Sequence, residues 1–145
     1  MRRWGARPGR PARGYIRASV MSRVGAAAST LPMILGFART ALDAVSRVNH
    51  TGDLSDGELP GVHPCHMFTW QELESWLASF PVTVRDRAAA SVLTTGWPDD
   101  ELSALEENAS LVKELDGWEE YFSREPGCLD AGHHILVSLL VTKDS

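Results

Sequence analysis

The side chains best suited to chemistry fall in a few short stretches. His63, Cys65 and His66 lie within four residues of each other, with Met67 and Trp70 close behind. A histidine there suits a general base, because its unperturbed pKa lies near neutrality. Packing beneath the following helix is the competing role for the same stretch. Together with His50, Cys128, His133 and His134 these residues supply enough nitrogen and sulfur for a zinc site. The His63-Pro64-Cys65-His66 spacing is not a usual zinc pair, however, and no metal is expected. Cys65 and Cys128 lack an activating base beyond His66, so a thiolate nucleophile is not expected either. Met21, Ser22 and Arg23 end the first apolar stretch. Arg23 suits either an anionic substrate group or a solvated loop. His133 and His134 open the last apolar run and suit core or surface roles.

These residues must be held by elements that the hydrophobic pattern predicts. The stretch 133–142, HHILVSLLVT, is apolar on one strand face and mostly apolar on the other. Such a strand needs neighbours on both edges and helices on both faces, which is an α/β arrangement. Tyr15 to Met21 reads as the first strand, ending in a loop signal at 22–25. A helix over 30–48 is predicted from the Ser29/Thr30 cap, Pro32 in the first turn and apolar residues at helical spacing. The glycines and prolines of 51–64 predict a long loop. Thr69 and Glu72 form a capping box opening a helix to about Ser79. Residues 82–88 read as an edge strand, with Arg85 and Arg87 discouraging aggregation. Asp99, Asp100 and Glu101 open a helix reaching Arg124, with Asp116-Gly117 as its break point. Trp70, Trp76, Trp97 and Trp118 are expected in the core.

Length and composition set the frame. At 145 residues, 43% hydrophobic and 23% charged, the chain suits one globular domain. Two cysteines make no disulfide framework. The net charge of −5 hides an asymmetry: residues 1–42 carry eight arginines and no acid, and the remainder carries all 19 acids. Residues 1–13, rich in Arg, Pro and Gly, read as a disordered leader. Nucleic-acid binding is not expected, because no aromatic-basic interleaving follows the arginines. The apolar run near 24–38 is too short and interrupted for a membrane helix or a signal segment, so the expected location is the cytoplasm.

Three segments carry a family resemblance: GYIRASVMSRVG from Gly14, PCHMFTWQELESWL from Pro64, and EPGCLDAGHHILVSLLV from Glu125. Together they resemble the C-terminal half of class I S-adenosylmethionine-dependent methyltransferases, over most of the chain beyond residue 13. The resemblance implies a partial Rossmann-like sheet over 14–145 in which the last strand runs antiparallel between its two predecessors. It also implies a cap helix and loop within 25–68. It implies methyl transfer from S-adenosylmethionine to a small-molecule acceptor, with Met21, Ser22, Arg23, His63, His66, Met67 and Trp70 facing the acceptor and His66 as the candidate catalytic residue. The sequence departs from the family at the cofactor site. Gly5, Gly9 and Gly14 follow no strand, and no acid precedes Asp43, so neither the Gly-rich loop nor the ribose-binding acid is present. The expectation is a fragment that is inactive alone and does not bind the cofactor tightly. The alternative is a non-enzymatic fragment or interaction module that pairs through an exposed strand edge, including self-association.

Overall fold

A computed structural model describes residues 14–29, 42–58 and 63–142. Its elements in chain order are β1 (Tyr15–Met21), α1 (helical over 23–29), α2 (Leu42–Thr51), β2 (Asp53–Leu54), β3 (Cys65–His66), α3 (Trp70–Leu77), β4 (Val82–Ala90), α4 (Asp99–Glu106), α5 (Ala109–Ser123), a 3-10 turn (Pro126–Cys128) and β5 (His134–Val141). The architecture is α/β.

The main sheet has the order β1-β5-β4, with β5 antiparallel to both neighbours. The twice-apolar terminal strand therefore sits in the centre, as its pattern predicts. Both outer strands oppose β5, so they are parallel to each other. Their carboxyl ends lie on one side of the sheet, in the row Met21–His134–Ala90. One face of β5 packs Ile135, Val137 and Leu139 against Leu73 and Leu77 of α3. Cover on the other face is partial: Leu140 is buried, but Leu136 remains 39% exposed. The outer strand β4 carries a register irregularity between Val84 and Asp86, next to the charges that mark it as an edge.

Several expectations need correction. The predicted loop at 22–25 opens α1 instead. Ser22 acts as its N-cap, with the Gly25 amide donating to Ser22 Oγ at 3.1 Å and the Ala26 amide to the Ser22 carbonyl at 2.9 Å. The middle of the predicted 30–48 helix lies outside the described residues. Its last part is α2, which ends at Thr51 where Gly52 adopts φ +82°, the left-handed stop of a helix. The predicted 51–64 loop contains β2, whose Asp53 and Leu54 pair with His66 and Cys65 of β3. This ribbon and α2 enclose a second core of Ala26, Val48, Leu54 and Met67.

The 99–124 helix breaks at Asn108, not at Asp116-Gly117. The Asn108 side chain caps α5 through the Leu111 amide, whereas Gly117 lies inside the helix. Of the four tryptophans expected in the core, only Trp70 packs against it. Trp76, Trp97 and Trp118 are exposed. Among the described residues, no helix is long and apolar enough to cross a membrane.

Candidate functional site

The carboxyl ends of β1 and β4 are where an open α/β sheet receives ligands. β1 runs directly into Ser22, which is fully buried and already committed. Its hydroxyl donates to the Asp130 carbonyl at 2.6 Å while accepting from Gly25. Asp130 is a second anchor, because its Oδ1 accepts the Trp70 amide at 2.5 Å and so helps cap α3. The loop before β5 is thereby tied to both α1 and α3. Ser22→Ala is expected to lose about 1–3 kcal/mol, since it removes the α1 cap and strips the Asp130 carbonyl of that donor. Urea denaturation would measure it, and an unchanged midpoint would contradict this role.

Arg23 is committed as well. Its guanidinium donates to the carbonyls of His50 at 3.1 Å, Thr51 at 3.0 Å and Met67 at 3.4 Å, and it forms an ion pair with Glu72. Glu72 simultaneously accepts the Thr69 amide at 2.9 Å, completing the predicted capping box. Partial burial acts to raise the Glu72 pKa. The hydrogen bonds from Arg23 and from the Thr69 amide and hydroxyl outweigh it, and the carboxyl is lowered to about 2. One arginine thus clasps the end of α2, the segment after β3 and the start of α3.

His66 is the chemically available member of the set. Its side chain is partly exposed, its Nδ1 lies 2.7 Å from Asp53 Oδ1, and its ring meets Phe68 edge-on at 4.4 Å. The β2–β3 ribbon brings this carboxylate to the histidine, since Asp53 and His66 are directly opposed in its register. A proton on Nδ1, shared toward Asp53, would leave the Nε2 lone pair free.

The remaining predicted residues are dispersed. Met67 is buried in the second core and Met21 packs against that core. His63 is exposed and makes no hydrogen bond or ion pair among the described residues. Trp70 lies on the other flank of α3, where the Arg87 guanidinium sits 4.7 Å over its ring. The structure therefore joins Met21, Ser22, Arg23 and Met67 into one knot. It sets His66 at the knot's border and leaves His63 and the Trp70 ring apart, although the Trp70 amide reaches the knot through Asp130.

At the carboxyl end of β4 a hollow of about 490 Å³ opens toward α4 and α5, with Ala89, Ser91, Leu102 and Leu115 in its lining. Ser91 there adopts φ 59°. The turn it begins is held by Glu119, which accepts the amides of Val92 and Leu93 at 2.8 Å and of Thr94 at 3.2 Å. Sequence reasoning missed Asp53, Glu119 and Asp130. Each acts on backbone or on a residue 13 to 60 positions away, and no local spacing records such a partner. Among the described residues no group of three His, Cys, Asp or Glu is placed to hold a metal ion. Compared with models of known protein families and with curated protein sequences, the chain matches none.

Proposed function

We propose that this chain is the acceptor-side portion of an S-adenosylmethionine-dependent methyltransferase acting on a small molecule. The observation that carries the reading is the terminal strand running antiparallel between two mutually parallel strands whose carboxyl ends share one edge. A Rossmann-like parentage of this sheet is part of the same proposal. The described residues do not fit the methyl donor. β1 enters α1 through the buried, doubly bonded Ser22, with no Gly-rich loop between them, so no step is assigned here to the donor. What this chain contributes is the acceptor side. The hollow beside Ser91 has the size of a small-molecule site, and the Asp53–His66 pair is the oriented base this chain offers. His66 Nε2 is the group that takes a proton from the bound acceptor, and Asp53 holds the ring in the tautomer that leaves Nε2 free. Alignment of the reacting atoms supplies most of the rate in such a transfer, with proton removal secondary.

The test combines calorimetry and NMR. S-adenosylmethionine titrated into the isolated chain is expected to give no binding at micromolar concentration. Phenols and amines are expected to shift resonances of His66 and of Ala89 or Ser91. In nitrogen-15 spectra the His66 ring should be protonated on Nδ1, and Asp53→Asn should release that preference without unfolding the chain. Micromolar cofactor binding, or an Nε2-protonated His66 in the wild type, would overturn the proposal.

A further inference from the structure

The outer edge of β1 has a defined chemistry. The Val141 amide donates to the Gly14 carbonyl, and the Ser22 amide donates to the His133 carbonyl. Even-numbered residues of this strand therefore turn their backbone groups toward β5. On the opposite edge the Phe68 amide donates to the Met21 carbonyl, and the Arg23 amide to the Phe68 carbonyl. Strand alternation then directs the N–H and C=O of Tyr15, Arg17 and Ser19 outward. No described residue hydrogen-bonds to them, and Arg17 has no ion-pair partner among the described residues.

The same edge is flanked by rings. On α3, Trp70 and Glu74 reach toward Arg87 of β4, so Trp76 lies on the β1 flank. There Trp76 meets Phe68 at 5.9 Å and Phe80 at 4.8 Å, and it remains 51% exposed. Ile16 adds exposed apolar surface on that edge. β4 protects its outer edge with charges and a bulge, whereas β1 has no proline, lysine or irregularity along its length.

We propose that the β1 edge docks an extended strand of another polypeptide, one carrying a carboxylate opposite Arg17 and apolar residues toward Ile16 and Trp76. Backbone pairing supplies the affinity and the two side-chain faces supply the selectivity. A second copy of this chain is a poor occupant. Outward residues must face outward residues, so a twofold pair sets Arg17 against Arg17, Ser19 or Tyr15 of the other copy, and the last of these registers pairs only Tyr15 and Arg17 among the described outward residues. The first opposes like charges. The second brings the other copy's Tyr15 beside Met21, where the parallel Ser22–Phe68 bridge has already laid the chain at Met67. The interface uses Ile16, Arg17 and Trp76, none of which belongs to the Asp53–His66 pair or to the hollow beside Ser91.

The probe is a capped heptapeptide alternating valine and threonine, with a central glutamate and methylated nitrogens on one edge so that it cannot pair with itself. In the free chain the amides of Tyr15, Arg17 and Ser19 should exchange rapidly, while those of Ile16, Ala18 and Val20 are protected. Peptide at ~1 mM should slow the first three by about tenfold or more and shift Trp76 fluorescence. Ser19→Pro deletes an outward N–H and spares the β5 ladder, so the protection at Tyr15 and Arg17 should vanish while Ala18 stays protected. Arg17→Glu should transfer the preference to a lysine-centred peptide. Slow exchange at Tyr15, Arg17 and Ser19 in the free monomer would overturn the proposal. So would indifference to the peptide, or a sedimenting dimer that Ser19→Pro dissociates.

Discussion

Gly25→Ala is expected to destabilise the chain by about 3 kcal/mol, although it replaces a helical glycine with the best helix former. A Cβ at Gly25 would lie 1.9 Å from the carbonyl oxygen of Gly132 and 2.6 Å from its carbon. Gly132 is pressed in turn against β4, where a Cβ would come 2.4 Å from the Ala90 carbonyl oxygen. Three backbone segments are stacked here: α1, the turn before β5, and the end of β4. None can swing aside as a flexible side chain would, because the Ser22 amide donates to the His133 carbonyl and the His133 amide to the Ala90 carbonyl. Gly132→Ala should cost a similar amount. The double variant should cost less than the two singles added, because one displacement relieves both clashes. Gly117→Ala is the control. Nothing lies within 4 Å of its Cβ position on α5, so the substitution should gain about 0.5–1 kcal/mol through helix propensity alone. Urea midpoints measure all four variants. Equal stability of Gly25→Ala and wild type would mean that α1 does not rest on Gly132.

The parts of this fold legible in the sequence are those whose cause is local or periodic. The twofold apolar pattern of 133–142 required a central strand, and β5 is central. Thr69 and Glu72 announced a capping box, and both of its hydrogen bonds are present. Charges on 85–87 marked an edge, and β4 is one. The misreadings arose where one residue type serves two causes. Gly25 looked like a loop residue because glycine favours turns, yet it is required for close approach inside a helix. Asparagine and glycine both tend to interrupt helices, and Asn108, with its capping oxygen, did so while Gly117 did not. The tryptophans were assigned to the core as large apolar rings, but burial depends on which flank of its helix a ring occupies, and Trp76 is 51% exposed. For the candidate site, His66 was legible as a residue type in a loop. Its partner Asp53 was not, because only the pairing of two very short strands brings them together. Arg23 was legible as a cation after a strand, but not as one surrounded by three carbonyls and a carboxylate.

That enclosure yields the second large effect. Arg23→Ala should lose about 2–4 kcal/mol, because it strips a donor from the carbonyls of His50, Thr51 and Met67 and leaves the Glu72 carboxylate without its cation. Arg23→Lys should recover little, since one ammonium cannot reproduce a planar fork that reaches four acceptors. Glu72→Gln isolates the charge. The folded-state pKa of Glu72, about 2, lies below the value of 4.5 for a free carboxyl. A depressed carboxyl stabilises the fold fully above pH 4.5, and that contribution falls away as pH drops through 4.5 toward 2. The gap between wild type and Glu72→Gln should therefore be widest near pH 7 and should narrow steadily below pH 4.5. Its size should be on the order of 1 kcal/mol, because the Glu72 side chain is 42% exposed and water screens the pair. Arg23→Ala should remain destabilised even at the acid end, because the three carbonyls still lack their donor there. Denaturation midpoints across this pH range separate the two contributions. A gap for Glu72→Gln that stays constant from pH 7 to pH 2.5 would show that the Arg23 clasp works through its carbonyls alone.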